Sequence, residues 1–214
     1  MTSRRVSRRV IAAALVASSL LGGGVAFAAS LAVSSSKLTV YHRAAGCAAG
    51  TTTVTAIADS FIDQGSAGSN FGTGADLKVR APVVITLLGA RRTLVRFWLP
   101  ATPDLCSVAS VKLRLWTTAW DTGRTLSVVQ ITDPWSESGT GSVTWTNQPG
   151  TTGTPTTLTS TAGAGWREWT VTSLYSGGEN GFMIRDLTGL LAQPEQIFDS
   201  RENTHDPELA VTFA

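Results

Sequence analysis

From Thr52 onward the sequence is a succession of short segments in which apolar and polar residues alternate, separated by Gly, Ser, Asn and Pro. Alternation with a period of two is typical of half-buried strands, and about ten such segments are present. No segment of helical length after residue 30 has an apolar period of 3.6, and the best helical candidate is one turn around Val171 to Tyr175. Many short strands without helices between them predict an all-β protein built from antiparallel sheets, a sandwich or a barrel.

The predicted strands are Val54–Ile57, Asp59–Asp63, Leu77–Arg80, Val95–Leu99, Val111–Trp116, Leu126–Thr132, Ser142–Thr146, Arg167–Val171, Phe182–Arg185 and Glu208–Phe213. The stretch from Trp135 to Pro149 has a special pattern, because two tryptophans bracket a Ser/Gly-rich turn and a short β-branched run. We predict a loop that tucks under the sheet and returns as a strand, with Trp135 and Trp145 as packing residues.

The N-terminus has the pattern of a secretory signal peptide, which we predict over residues 1–28. A basic start is followed by a small and apolar run from Val10 to Val25 and by the cleavage pattern Ala26-Phe27-Ala28. A retained N-terminal anchor is the alternative, and Arg8-Arg9 would also suit twin-arginine export. Residues 29–51 are expected to be a linker and residues 52–214 one domain. The product would be secreted or associated with the cell wall.

Charge excludes one class of partner. The 214 residues carry 17 basic and 15 acidic side chains, but four of the arginines lie in the leader. Removing these leaves 13 basic and 15 acidic side chains, a formal charge of −2. A chain near neutrality gives no bulk attraction for nucleic acid.

The two cysteines, Cys47 and Cys106, are expected to form a disulfide, because an even cysteine count in an exported chain favours pairing over free thiols. Neither has a second cysteine or a histidine at ligand spacing, so a zinc site is not expected.

Seven blocks of the sequence together resemble the DNRLRE domain family. They are A-D-S-F-I-D at 58–63, S-N-F-G with L-K-V-R at 69–80, L-V-R-F-W-L at 94–99, V-K-L-R-L-W at 111–116, W-S-E with V-T-W-T-N-Q-P at 135–149, G-F-M-I-R at 181–185, and F-D-S-R-E with P-E-L-A-V-T-F at 198–213. This family is related to disaggregatase repeats and includes carbohydrate-binding modules. The resemblance implies a jelly-roll β-sandwich and a non-catalytic role.

Strand parity separates the side chains that face the core from those that face solvent. If the aliphatic residues of the four most regular strands face inward, cations and tryptophans face outward. Aromatic faces stack on sugar rings, and guanidinium groups bind carboxylates in pairs. The candidate carbohydrate-binding residues are Lys78, Arg80, Arg96, Trp98, Lys112, Arg114, Trp116, Arg185 and, in a loop, Trp120. They suit an acidic, uronate-type polysaccharide.

The same residues can also be explained by structural roles that need no ligand. Outward cations are also the usual means by which a sandwich keeps its faces and edges soluble. Arg96 could be a structural arginine paired with Glu202 or Asp59.

Catalysis is not expected. The two histidines, His42 and His205, have no partner motif for nucleophilic chemistry. Asp59 and Asp63 share a face of their strand, but nothing in the sequence places a second acid across from them, as glycoside cleavage needs. Oxygen ligands for a structural calcium ion could come from a set near the first and last strands. This set comprises Asp59, Asn70, Asp199, Glu202 and Asp206, for which turn capping is the alternative role.

The sequence therefore predicts a secreted, monomeric, non-catalytic domain whose partner is an extracellular polysaccharide, with no nucleic acid and no membrane span after processing. The alternative is a structural or adhesive surface protein that binds other proteins.

Overall fold

The computed structural model describes residues 47–82, 88–118, 122–175, 178–188 and 195–214, all of which belong to one compact unit, Arg43–Ala214. The predicted signal peptide, most of the predicted linker, His42 and Trp120 lie outside the described residues. In the described ranges, no helix has the length and apolar character needed to cross a membrane. The predicted helical turn is present as a 3-10 helix at Thr172–Leu174, and others are Gln64–Ser66 and Gly178–Asn180.

The strands are β1 (Gly50–Asp63), β2 (Asp76–Val79), β3 (Arg91–Phe97), β4 (Val108–Thr117), β5 (Thr125–Ile131), β6 (Thr151–Thr159), β7 (Gly165–Thr170), β8 (Phe182–Asp186), β9 (Gln196–Asp199) and β10 (Glu208–Phe213). All of their pairings are antiparallel. The predicted fold class, an antiparallel β-sandwich of about ten short strands, is confirmed.

Strand β1 belongs to both sheets. Its first half pairs with β10, which continues to β4 and β7, and β9 and β2 extend this first sheet. The second half of β1 pairs with β3 and begins the second sheet, which runs on through β8 and β5 to β6. The register shifts between Ala56 and Ala58, where the strand passes from one sheet to the other. Such an irregularity lets one strand turn the corner of a sandwich.

The main core lies between the inner faces of the sheets, and its members follow the predicted parity. Val95 and Phe97 of β3, Leu113 and Leu115 of β4, and Phe182 and Ile184 of β8 are all buried in it. The larger side chains Trp169 and Phe198 pack edge to face within the same cluster, with ring centroids 6.1 Å apart. Consequently the intervening residues of these strands project away from this core.

A second apolar cluster covers the outer face of the second sheet. There Leu94 and Met183 pack against Trp135 and Val143, with Trp145 beside them. The prediction that Trp135 and Trp145 are packing residues is therefore confirmed. The loop from Trp135 to Pro149 is here called the covering loop. It approaches so closely that a Cβ on Gly72 would lie 2.0 Å from the carbonyl oxygen of Glu137, so only glycine fits there.

The predicted strand at Ser142–Thr146 is wrong. Only an isolated bridge joins Ser136 to Ser142, and the chain then turns because the side chain of Asn147 accepts hydrogen bonds from the backbone N–H and hydroxyl of Thr144. This local bonding competes with a strand ladder.

Two strands were not predicted. Strand β6 is an edge strand of threonine, glycine and proline whose side chains are mostly exposed, so it has no apolar alternation. Strand β9 has only four residues. The predicted disulfide is confirmed, because Cys47 and Cys106 are bonded to each other.

Candidate functional site

The nine predicted carbohydrate-binding residues do not form one surface. Lys78, Lys112, Arg114 and Trp116 lie on the outer face of the first sheet, whereas Arg96, Trp98 and Arg185 lie on the outer side of the second. Arg80 follows β2 and forms an isolated bridge with Arg91 at the start of β3. The remaining candidate, Trp120, lies outside the described residues. Two separate features result.

The first feature, here called the arginine cavity, has a volume of about 210 Å³. Strands β3 and β8 place Arg91, Arg92 and Arg185 on its wall, and Arg80 closes the wall from the end of β2. The lining residues are Arg80, Pro82, Ala90, Arg91, Arg92, Arg185, Asp186 and Leu187. Leu187 is 55 % exposed and adds an apolar rim. Four guanidinium groups around one opening suit an anionic ligand.

Two of these arginines are held by acidic residues of the protein. Arg91 bonds Asp63 at 2.8 Å and Glu195 at 2.6 Å, and Glu195 also lies 3.5 Å from Arg80. Arg80 donates in addition to the carbonyl oxygen of Gly89. Burial and the neighbouring charge of Arg91 lower the pKa of Arg80, although Glu195 opposes the shift. These two guanidinium groups therefore share two carboxylates.

The other two arginines, Arg92 and Arg185, have only neutral partners in the described part of the chain. Arg92 donates to the side-chain oxygen of Gln148 and lies 4.6 Å above the ring of Trp145. Arg185 contacts the sulfur of Met183 and the hydroxyl of Thr151. Burial lowers the pKa of both arginines, and for Arg92 the charge of Arg185 lowers it further. A bound anion would relieve both effects.

The second feature, here called the tryptophan cluster, consists of Trp116, Trp166 and His205 on the outer face of the first sheet. Trp116 and Trp166 are directly opposed in the β4–β7 ladder, and their rings meet edge to face with centroids 5.6 Å apart. His205 stacks on Trp116 at 4.2 Å, and its Nδ1 lies 2.8 Å from a carboxylate oxygen of Asp199. All three rings are half-buried.

The cations near this cluster are paired. Arg114 lies 4.6 Å above the ring of Trp166 and bonds Glu208 at 2.6 Å and Glu168 at 3.5 Å. Lys112 also pairs with Glu168 at 3.5 Å, and Lys78 lies 3.9 Å from Asp76. These pairs leave little unbalanced positive charge on the first sheet. The anion-binding role for Lys78, Lys112 and Arg114 stays a prediction.

Arg96 and Trp98 join neither feature. The guanidinium of Arg96 lies 5.3 Å above the ring of Trp135 and donates to the carbonyl oxygen of that residue at 3.0 Å. These contacts favour a structural role for Arg96. Its partner is Trp135 and not Glu202 or Asp59, because the covering loop lies directly over β3. Trp98 is 75 % exposed, and no described aromatic ring contacts it.

The predicted calcium ligands do not meet at one point. In the described ranges, no three His, Cys, Asp or Glu side chains are grouped closely enough for a metal ion. Asn70 donates to two carbonyl oxygens of the covering loop, Asp59 accepts from the backbone N–H of Arg201, and Asp199 is bonded by Asn203 and His205. The carboxylates of Asp59 and Asp199 thus already have donors of the protein as partners.

Asp59 nevertheless has unusual electrostatics. It is 1 % exposed, and Glu137 and Glu202 lie near it. Burial, helped by these two carboxylates, raises the pKa of Asp59 to about 7, against the backbone hydrogen bond from Arg201.

Several residues of these features were missed from the sequence, among them Arg91, Arg92 and Trp166. The predicted strand began at Val95, and extending it backward would have placed Arg92 on the same side as Arg96. The strand predicted to begin at Arg167 begins at Gly165, two residues earlier, which places Trp166 opposite Trp116. Predicting the full length of β3 and β7 would therefore have revealed these residues.

A family model described as carbohydrate-binding module family 96 matches residues 50–213. The match covers every strand of both sheets. A search of curated proteins found no match. The expectation of a carbohydrate-binding type of domain is thus confirmed, whereas the assignment to the DNRLRE family stays a prediction.

Proposed function

Since the chain belongs to carbohydrate-binding module family 96, we propose that its ligand is an acidic, uronate-type polysaccharide whose carboxylates enter the arginine cavity. The observation that carries the proposal is the pair Arg92 and Arg185, two partly buried cations whose described partners are all neutral. A sugar carboxylate would supply the missing opposite charge.

Geometry supports the same ligand. A guanidinium presents two parallel N–H donors that match the two oxygens of a carboxylate, which a neutral hydroxyl does not. Arg80 and Arg91 are already oriented by Glu195, so the wall of the cavity is ordered before a ligand arrives. The half-exposed Leu187 at the rim offers an apolar surface to the sugar ring.

The expected affinity is modest. Each half-exposed pair between a guanidinium and a carboxylate contributes under about 1 kcal/mol and is screened by salt. A polymer presents many carboxylates, and rebinding at neighbouring sugars raises the apparent affinity. We therefore expect binding in the micromolar to millimolar range that weakens as salt is added.

A matched pair of ligands tests the proposal: a polyuronate, and the same polymer after its carboxylates have been reduced to alcohols. Isothermal titration should show binding only to the first. Arg92→Gln and Arg185→Gln should each weaken polyuronate binding by up to about 5-fold, since each removes one guanidinium contact of under about 1 kcal/mol. Lys112→Gln makes the same change in net charge on the other sheet, and it should have little effect.

Equal binding of the two polymers would contradict the proposal, and so would an equal loss in all three variants. The first result would show that the carboxylates are not recognised, and the second that net charge and not the cavity determines binding. If no polyuronate bound, a structural or adhesive surface protein that binds other proteins would become the favoured function.

The proposed setting is outside the cell or at the cell wall, with no catalytic step. The predicted signal peptide supports export, and the family assignment supports a role in binding. N-terminal sequencing of the secreted protein should find a start near Ala29. Intact Met1 on membrane-bound protein would contradict this part of the proposal. A monomer is expected in size-exclusion chromatography.

A further inference from the structure

We propose that the tryptophan cluster of Trp116, Trp166 and His205 is a second carbohydrate-binding site, one that takes uncharged sugar rings. It lies on the other sheet from Arg92 and Arg185 and has different chemistry. The inference goes beyond the proposed acidic ligand and does not depend on it.

The cluster does not belong to the core of the sandwich. Leu115 of β4 and Trp169 of β7 fill the interior of the sandwich. By the alternation of the strands, Trp116 and Trp166 therefore project outward. Their indoles are half-buried by each other and by His205, which leaves part of each ring open to solvent. An outward aromatic surface on a sheet is the usual means of stacking against the apolar face of a pyranose.

Hydrogen bonding separates these tryptophans from the packing residues Trp135 and Trp169. The indole N–H of Trp135 donates to Asn180, and that of Trp169 lies 3.4 Å from the carbonyl oxygen of Leu126. In the residues that the structure describes, the indole N–H groups of Trp116 and Trp166 meet no acceptor, and neither is sealed from solvent. Both donors are thus available to a sugar hydroxyl.

The charges around the cluster explain the choice of an uncharged ligand. Arg114 is held by Glu168 and Glu208, so the polar groups beside the rings are cations and carboxylates in balance. Carboxylates accept hydrogen bonds from hydroxyl groups, but they repel the carboxylates of a uronan. The first sheet therefore discriminates against the ligand that the arginine cavity attracts.

Two sites on opposite sheets would make the domain bivalent. Arg92 and Arg185 project from the outer side of the second sheet, and the tryptophan cluster lies on the outer face of the first. A single domain could then hold an acidic chain on one side and a neutral chain on the other.

The experiment measures binding of three neutral polymers, hydroxyethylcellulose, arabinoxylan and galactomannan, by affinity gel electrophoresis. At least one should retard the wild-type domain, and to the same degree between about 0.05 M and about 0.5 M salt, since stacking is not screened. Trp166→Ala should weaken that binding about 10-fold, which corresponds to one lost contact of about 1.4 kcal/mol. Trp166→Phe keeps a ring and should lose less.

Thr170→Ala is the control, because Thr170 is exposed on the same strand outside the cluster. Thermal unfolding of each variant checks that it is folded. The proposal would be overturned if the wild type bound none of the three polymers. It would also be overturned if neutral binding survived both Trp166→Ala and Trp116→Ala in folded protein.

The two sites are distinguished by the Arg92→Gln/Arg185→Gln double variant. It should lose polyuronate binding and keep neutral binding, and loss of both would show one shared site. A wild-type domain that binds neutral polymers but no polyuronate would refute the proposed acidic ligand and leave the tryptophan site standing.

Discussion

Asp186 binds the guanidinium of Arg124 in an ion pair from which solvent is almost excluded, with the two side chains 0 % and 2 % exposed. Nε of Arg124 donates to Oδ2 of Asp186 at 2.7 Å, and the same oxygen accepts from the backbone N–H of Ala81. The other oxygen accepts from Thr188. Asp186 also lines the arginine cavity, so this pair fixes one wall of the proposed site.

Asp186→Ala should destabilise the domain by about 3–5 kcal/mol, because it removes one partner of a buried ion pair together with the acceptor of the Ala81 and Thr188 backbone N–H groups. Chemical denaturation measures the change in the free energy of unfolding. Glu208→Ala breaks the half-exposed pair with Arg114 and should cost under about 1 kcal/mol. Equal losses in the two variants would show that burial does not determine the strength of the first pair.

Asp59 should make stability depend on pH. Its pKa is about 7 in the folded chain against 3.8 in the unfolded one, so between these values only the folded state holds the proton. The free energy of unfolding therefore falls as pH rises from about 4 to about 7 and levels off above that range. Asp59→Asn, which cannot ionise, should exceed the wild type in stability at pH 8 by on the order of 1–3 kcal/mol.

At pH 4 the Asp59→Asn variant and the wild type should be nearly equal in stability, because Asp59 is then protonated in the folded chain. Denaturant titrations at several pH values measure both quantities. A variant less stable than the wild type at pH 8 would show that the carboxylate is needed in its charged form.

The disulfide between Cys47 and Cys106 should be a substantial source of stability. It joins residues 59 positions apart, and closing a loop of that size stabilises a fold by roughly 4 kcal/mol on the chain-entropy model. The Cys47→Ser/Cys106→Ser double variant should unfold at a lower denaturant concentration. Two thiols that react with an alkylating reagent in the folded wild type would contradict the bond.

Trp135→Ala and Trp98→Ala should differ widely in their effects. Trp135 is 7 % exposed, seals the second apolar cluster and supports Arg96, so its removal should cost about 3–5 kcal/mol. Trp98 is 75 % exposed, and its removal should change stability by less than about 0.5 kcal/mol. Thermal and chemical unfolding of both variants test the comparison.

Strand parity could be predicted from the sequence because it depends on neighbouring residues alone. The alternation in β4 assigned Leu113 and Leu115 to the core and Lys112 and Arg114 to the surface, as the structure has them. The sequence could not predict β6, since an edge strand exposed on both sides needs no apolar alternation.

The sites were harder to predict than the strands because they depend on pairing between distant segments. Arg80, Arg92 and Arg185 come together only through the order of β2, β3 and β8, which no local pattern encodes. Which cations are neutralised is likewise a matter of register, as the position of Glu168 and Glu208 on either side of Arg114 shows.

The position of the disulfide has a mechanical consequence. Cys47 precedes β1, Cys106 precedes β4, and Ser107 is hydrogen-bonded to Ala214 through both backbone groups. A pull between the chain ahead of Cys47 and the C-terminus would pass through the sulfur bridge and by-pass residues 48–105. Under tension, the strands β1 to β3 would thus be shielded from extension while the rest of the domain was stretched.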